Sequence, residues 1–150
     1  MLSEKPESAE SPSTQSVAVD LRVLVGKLRR KLREAADTQG LNDAQRSALM
    51  HLEREGTSTV TAMAQAEGMR SQSMGAIVTV LMEAGLVSGA PDPTDGRRTL
   101  LSLTPDARRY IRQLRAARED WLVQTIQSKF SATEQKQLAR GVDLLKRLVE

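Results

Sequence analysis

The order of helix and strand patterns between residues 59 and 104 constrains this chain more than any other feature. A short helical pattern ends at Gly68, and a second one covers residues 71–84, with apolar residues at spacings of three and four. Two strand-like segments follow, at residues 86–88 and 99–103, and the loop between them is rich in Gly, Pro and Asp. We therefore predict a mostly α-helical fold with a small β-hairpin.

This order of elements is that of a winged helix-turn-helix, a scaffold for reading DNA, in which the hairpin is the wing. Helix starts can be placed from capping signals. A capping box is predicted at Asn42 and another at Ser131. Thr61 is predicted to cap the short helix of the motif, and Thr104, followed by proline, to begin a long helix over residues 105–129.

The chain divides by composition into a tail, a core and flanking helices. Residues 1–16 are polar and contain two prolines, so we predict a disordered tail. Residues 41–104 form the predicted winged helix-turn-helix core, and residues 17–40 and 105–150 the predicted helical dimerisation region. The flanking helices carry apolar stripes that the core cannot cover, which indicates either a homodimer or one larger monomeric helical domain. The residues predicted to lie in a dimer interface are Leu21, Leu24, Leu28, Leu138, Val142 and Leu145.

Residue types needed for enzymatic or metal chemistry are scarce. The chain has no cysteine and one histidine, His51, which lies in a helical pattern without clustered carboxylates. We therefore predict no catalytic residue, no metal site and no cofactor. No apolar run approaches the roughly 18 residues of a membrane span, and the N-terminal residues lack the apolar stretch of a signal peptide. These features favour a cytoplasmic protein that has no membrane partner.

The start of the second motif helix carries side chains suited to reading DNA. Gln72 can form two hydrogen bonds with an adenine edge, and Arg70 can pair with phosphate or guanine. Serine hydroxyls can bond bases or phosphates, although for Ser71 the alternative is a plain N-cap. The predicted DNA-binding residues are Arg70, Ser71, Gln72, Ser73, Thr79, Asp95, Arg97 and Arg98.

The loop at residues 90–98 is the predicted tip of the wing. It presents Arg97 and Arg98, and arginine is favoured in narrow, electronegative minor grooves. Asp92 or Asp95 could brace one of these arginines by a salt bridge. The alternative is a solvated hairpin tip whose Asp–Arg pair is purely internal.

The basic charge lies mostly outside the predicted core. The formal net charge is +3, but residues 41–104 carry five basic against seven acidic residues. Residues 17–40 carry six against three, and residues 105–150 ten against six. Because phosphate contacts by Lys and Arg supply most non-specific DNA affinity, this distribution leaves a second function open. That alternative is a winged-helix sensor or protein-interaction module with weak or lost DNA binding.

Several segments together resemble the MarR family of bacterial transcription regulators. The segment GLV at residues 85–87 followed by DPTDGR at residues 92–97 is similar to the family's wing, and RSQSM at residues 70–74 to a common variant of its recognition helix. The resemblance covers residues 17–150. It implies a homodimer whose first and last helices interlock, with two winged modules on a pseudo-palindromic operator. It also implies a cleft between the dimer helices and the DNA module, where small, often aromatic or phenolic, ligands bind and release DNA.

Three positions depart from the family pattern. Ala76 stands where an arginine is frequent, Thr94 replaces the usual wing arginine, and residues 88–90 lack the basic side chains often found after GLV. These departures predict weaker non-specific DNA binding.

The overall prediction is a homodimeric, sequence-specific, DNA-binding transcription regulator, a repressor released from its operator by a small ligand. Its predicted partners are double-stranded DNA, a second copy of itself and a small aromatic or phenolic ligand whose binding residues the sequence does not indicate.

Overall fold

The structure, a computed structural model, describes residues 11–36 and 40–150. The predicted class, mostly α with a helix-turn-helix and a β-hairpin wing, is confirmed. In chain order the elements are α1 (Thr14–Ala36), α2 (Asp43–Glu55), α3 (Val60–Ala66), α4 (Ser71–Glu83), β1 (Val87–Pro91), β2 (Thr99–Leu103), α5 (Pro105–Lys129) and α6 (Ala132–Lys146).

The first helix begins earlier than the sequence pattern indicates. α1 starts at Thr14, so residues 14–16, which composition assigns to the tail, are helical. The reason is local, because the side chain of Ser13 accepts a hydrogen bond from the backbone N–H of Ser16 and so caps the helix. The predicted disorder of residues 1–10 and the dimerisation role of residues 37–39 lie outside the described residues.

Three of the four predicted N-caps are found where the sequence places them. Asn42 and Ser131 each open a capping box, and the hydroxyl oxygen of Thr104 accepts a hydrogen bond from the backbone N–H of Ala107. The prediction for Thr61 is wrong, since Thr59 caps α3 by accepting from the backbone N–H of Ala62 at 3.2 Å. The helix begins after Thr59 and not after Thr61 because Ser58 is paired with β2 and holds the chain extended up to Thr59.

The core lies between α2, α3, α4, the hairpin and the first half of α5. Aliphatic side chains and methionines fill it, as the low aromatic content requires. Burying each large side chain contributes about 1.5–3 kcal/mol. The largest fully buried side chains are Leu49, Met63, Met74, Leu81, Leu101 and Ile111.

The wing is a two-stranded antiparallel sheet. Its register runs from Val87 opposite Leu103 to Pro91 opposite Thr99. β1 extends beyond the predicted residues 86–88, which shortens the tip to residues 92–98. On the other edge of β2, Ser58 exchanges two backbone hydrogen bonds with Leu101, of 3.0 and 2.7 Å. The start of the helix-turn-helix is therefore fixed to the base of the wing.

Two helices bury almost nothing within the single chain. In α1 only Ala36 is buried, and in α6 no residue is. Five of the six predicted interface residues have between 37% and 58% of their surface exposed, and the sixth, Leu21, is half-buried. The five exposed residues are Leu24, Leu28, Leu138, Val142 and Leu145. α1 packs along α5 and leaves these apolar faces uncovered.

No helix of the described residues combines the length and hydropathy needed to cross a lipid bilayer.

Candidate nucleic-acid interface

The turn between α3 and α4 places one face of α4 in the core and the other in solvent. Gly68 has φ +64°, a conformation that glycine adopts without a Cβ penalty, and the half-buried Met69 packs against the core beside it. Met74, Val78 and Leu81 form the buried face of α4. The predicted DNA-binding residues of α4 are all exposed; they are Ser71, Gln72, Ser73 and Thr79.

The N-terminus of α4 differs from that of the neighbouring helices. Its N-cap is Arg70, in extended conformation, and no side chain accepts a hydrogen bond from the first turn. The helices α2, α3, α5 and α6 each have a side-chain cap. Ser71 is the first helical residue, so its alternative interpretation as an N-cap is wrong. Uncapped first-turn N–H groups and the positive end of the helix dipole suit a DNA phosphate.

The polar side chains at the start of α4 have no partner within the part of the chain that the structure describes. Those of Arg70, Gln72 and Ser73 form no hydrogen bond or ion pair with other described residues. Thr79 differs, because its hydroxyl donates to the backbone carbonyl of Gly75 at 2.9 Å. It therefore offers an outside ligand a methyl group and an acceptor but no free donor.

Asp92 organises the tip of the wing. One of its carboxylate oxygens accepts hydrogen bonds from the backbone N–H and the hydroxyl of Thr94, at 2.9 and 2.8 Å. The bonds from Thr94, with the positive charge of Arg98, hold the pKa of Asp92 below its usual range. Thr94, at the position of the family's usual wing arginine, thus serves the internal geometry of the tip.

The two wing arginines have different surroundings. The guanidinium of Arg98 is shared between Asp92 and Asp95, at 3.5 and 3.7 Å, so the internal Asp–Arg pair is present. Asp95 also accepts a hydrogen bond from the backbone N–H of Arg97 at 3.1 Å. The exposed guanidinium of Arg97 has no ion pair within residues 11–36 and 40–150. The tip therefore exposes Arg97, while Arg98 and two aspartates form bonds within the tip.

The structure also shows a charged cleft whose lining residues sequence reasoning missed. It lies between α1, α2 and α5, has a volume of about 550 Å³, and contains Arg33, Arg46 and Arg118. One carboxylate, Asp43, holds both Arg33 at 2.5 Å and Arg46 at 2.6 Å. These hydrogen bonds, that from Arg33 first, lower the pKa of Asp43 to about 2. The basic residues of α1 were the available signal, but a solvated helix face explains their pattern equally well.

The helix-turn-helix, its wing and the exposed polar face of α4 define the class of winged helix-turn-helix proteins. A curated HTH-type transcriptional regulator of Mycobacterium bovis is 33% identical over 138 residues, which are 92% of this chain and 96% of the relative. A model of the MarR family matches residues 39–98. The chain belongs to the MarR family of transcriptional regulators, whose members bind DNA, and it is not an enzyme.

Solved structures agree with this assignment. One from Pseudomonas aeruginosa, described as a transcriptional regulator, is 34% identical, has a TM-score of 0.78, and is matched over 93% of this chain and 99% of that one. A mutant of MepR from S. aureus, bound to an oligodeoxyribonucleotide, is 17% identical, with a TM-score of 0.71 over 89% of this chain and 98% of its own. At that identity the likeness to MepR establishes the fold alone.

Proposed function

We propose that this protein is a homodimeric repressor that binds a pseudo-palindromic operator and leaves it when a small molecule binds. The observation that carries the proposal is the combination of two surfaces. The exposed face of α4 begins with a polar cluster that has no side-chain cap and no partner among the described residues, and the wing exposes Arg97. The apolar faces of α1 and α6 are uncovered in the single chain.

The proposed DNA contacts follow from the chemistry of each exposed group. α4 enters the major groove, where Gln72 reads an adenine edge and Ser73 bonds a base or a phosphate. Arg70 and the first-turn N–H groups hold a phosphate, which fixes the helix in register. Arg97 reaches the neighbouring minor groove. The fold shared with MepR, a protein solved with bound oligodeoxyribonucleotide, supports this placement.

The proposed dimer follows from the uncovered apolar surface. A second copy that packs its own α1 and α6 against these faces would bury residues such as Leu24, Leu28 and Leu145, which are otherwise exposed to water. A two-fold dimer places two identical α4 helices on DNA, at half-sites about 34–36 Å apart. Small changes in the angle between protomers then change this spacing and weaken binding. The protein would act in the cytoplasm, where the DNA is.

A selection of bound DNA from random oligonucleotides tests the proposal. We expect an enriched motif with inverted half-sites whose centres lie about one helical turn apart. Equal retention of random DNA and the enriched pool at low salt would contradict sequence-specific binding.

The alternative, a winged-helix sensor with weak DNA binding, draws on one observation. Residues 41–104 carry two more acidic than basic residues, seven against five. Replacement of both Gln72 and Arg97 by alanine separates the two functions. It should abolish operator binding by a repressor, whereas a sensor that does not use DNA would be unaffected.

A further inference from the structure

We propose that three residues of α4, Ala76, Thr79 and Val80, recognise the 5-methyl groups of thymine in the operator. We call these three residues the methyl surface. The inference rests on the proposed function, because it requires that α4 lie in the major groove. It deepens that function by naming a class of base that is read by apolar contact, next to the adenine that Gln72 reads by hydrogen bonds.

The methyl surface continues the side of α4 on which the polar cluster lies. Ala76 follows Gln72 by four residues and Ser73 by three. Thr79 and Val80 follow Ala76 by three and four residues. Residues at these spacings share one side of a helix, and all five are exposed. A helix that presents its polar start to DNA therefore presents the methyl surface to the same groove.

Each member of the methyl surface offers methyl groups and no free hydrogen-bond donor. The side chains of Ala76 and Val80 are hydrocarbon, and Val80 has 41% of its surface exposed. The hydroxyl of Thr79 is engaged, since it donates to the backbone carbonyl of Gly75 at 2.9 Å. Within residues 41–104, all of which the structure describes, the exposed large apolar side chains are Val80 and Met82, both on α4. Covering the methyl surface with another apolar group is therefore favourable.

The charge of α4 excludes the phosphate backbone as the group that covers this surface. The helix contains no lysine or arginine, and its one charged residue is Glu83, three residues after Val80. Phosphate contacts need a cation or a free donor, and the methyl surface supplies neither. A carboxylate at the end of the same helix also repels phosphate. The group that covers the methyl surface must therefore be apolar.

B-DNA offers one apolar group in its major groove, the 5-methyl group of thymine. Alanine and the methyl group of threonine are among the side-chain groups suited to contact it. From Gln72 to Val80 the helix rises about 12 Å, or roughly three to four base pairs. We therefore expect each half-site to contain a thymine within about four base pairs of the adenine that Gln72 reads.

Replacement of thymine by deoxyuridine tests the inference, because it removes the 5-methyl group and leaves the hydrogen-bonding groups of the base unchanged. The DNA is the sequence that the full-length protein enriches from random oligonucleotides, with one symmetric pair of thymines replaced at a time. We expect at least one pair at which the replacement weakens binding about sixteenfold, or about fourfold for each methyl group that loses its contact. Competition titrations followed by fluorescence anisotropy measure the ratio of the two affinities.

Variants of the methyl surface separate direct contact from an effect of the methyl groups on DNA shape. Thr79→Ser removes a methyl group but keeps the hydroxyl that donates to Gly75, so it should move the ratio of thymine to deoxyuridine affinity toward unity at one pair. Thr79→Val keeps a methyl group and should retain the native ratio. Val80→Ala should lower the ratio as Thr79→Ser does. Met82→Ala is the matched control, because Met82 is an exposed apolar residue of α4 outside the methyl surface, and its ratios should be native.

The outcomes distinguish this inference from the proposed function. Sequence-specific binding with equal affinity for thymine and deoxyuridine at every position overturns the inference and leaves the proposed function. Native ratios in both Thr79→Ser and Val80→Ala also overturn it, because the methyl groups would then act through DNA shape. Absence of any enriched sequence refutes the proposed function, and the inference with it.

Discussion

The guanidinium of Arg98 lies 3.5 Å from a carboxylate oxygen of Asp92, whose side chain is only 10% exposed. This ion pair engages one of two adjacent arginines within the wing tip, while 58% of the Arg98 side chain stays exposed. Arg97, the other, is exposed and has no ion pair with a described residue. Two residues of identical chemistry therefore have different expected effects on DNA binding.

Arg97→Ala should weaken operator binding about tenfold and lower the salt slope of the binding constant by about 1, because one phosphate or minor-groove contact is lost. Fluorescence anisotropy of labelled operator at several salt concentrations measures both quantities. Arg98→Ala is the comparison, and it should leave the salt slope nearer the native value. An unchanged slope in Arg97→Ala would show that the wing does not reach DNA.

Gln72→Ala should reduce discrimination between operator and scrambled DNA by about 1–3 kcal/mol, since a bidentate contact to a base edge is removed. Affinity for scrambled DNA should stay the same, because Gln72 is exposed and supports no other described residue. Competition titrations with the two DNAs give the ratio. An equal loss of affinity for operator and scrambled DNA would mean that Gln72 contacts the DNA backbone and not a base.

Met74→Ala should destabilise the fold by about 2–5 kcal/mol, because it leaves a cavity under α4. Met74 is 0% exposed, whereas the preceding Ser73 is exposed. Ser73→Ala should therefore weaken DNA binding without changing the urea midpoint. Similar unfolding curves for the two variants would contradict the orientation of α4.

The carboxyl group of Asp43 should titrate near pH 2, because its hydrogen bonds with Arg33 and Arg46 lower its pKa to about 2 from the ordinary 3.8. The folded pKa is depressed, so the ion pairs contribute fully above pH 4 and are lost as the pH falls toward 2. NMR titration of the carboxyl carbon measures this pKa. In Arg33→Gln the midpoint should move up toward 3.8, and an unmoved midpoint would mean that Arg33 does not hold Asp43 in solution.

Leu28→Glu should shift the protein from dimer to monomer and weaken operator binding, since it puts a charge on the uncovered face of α1. Val80→Glu is the control on α4, where 41% of the valine surface is exposed. It should remain dimeric but lose DNA binding, because a carboxylate then faces phosphate. Light scattering and anisotropy measure the two properties. Dimers of native stability in Leu28→Glu would place the interface elsewhere.

The features that sequence predicts well depend on residues close together in the chain. Capping at Asn42 involves Gln45, and capping at Thr104 involves Ala107, three residues away in each case. The buried side of α4 follows from helical spacing. The cap of α3 does not, because Ser58 is held by Leu101 from a distant strand and moves the start from Thr61 to Thr59.

The features that sequence did not predict depend on tertiary contacts between charged groups. The pattern of α1 shows basic residues, but only the packing of α1 near α2 brings Arg33 to Asp43. Sequence likewise does not show that the Nε atom of Arg118 is buried without an acceptor among the described residues. Composition cannot distinguish Arg97 from Arg98 either, because the fold of the tip decides which one the aspartates hold. Five of the six predicted dimer residues are exposed in the single chain and Leu21 is half-buried, and the second copy that would cover them is a proposal.

The uncovered faces of α1 and α6 have a consequence for gene dosage. Under the proposed assembly, only paired chains span two half-sites, and pairing depends on how many chains are present. Well below the dissociation constant of the pair, halving the supply of chains quarters the supply of dimers. Operator occupancy then falls more steeply than protein abundance, so a cell could relieve repression by modest dilution of the protein during growth, even without an inducing molecule.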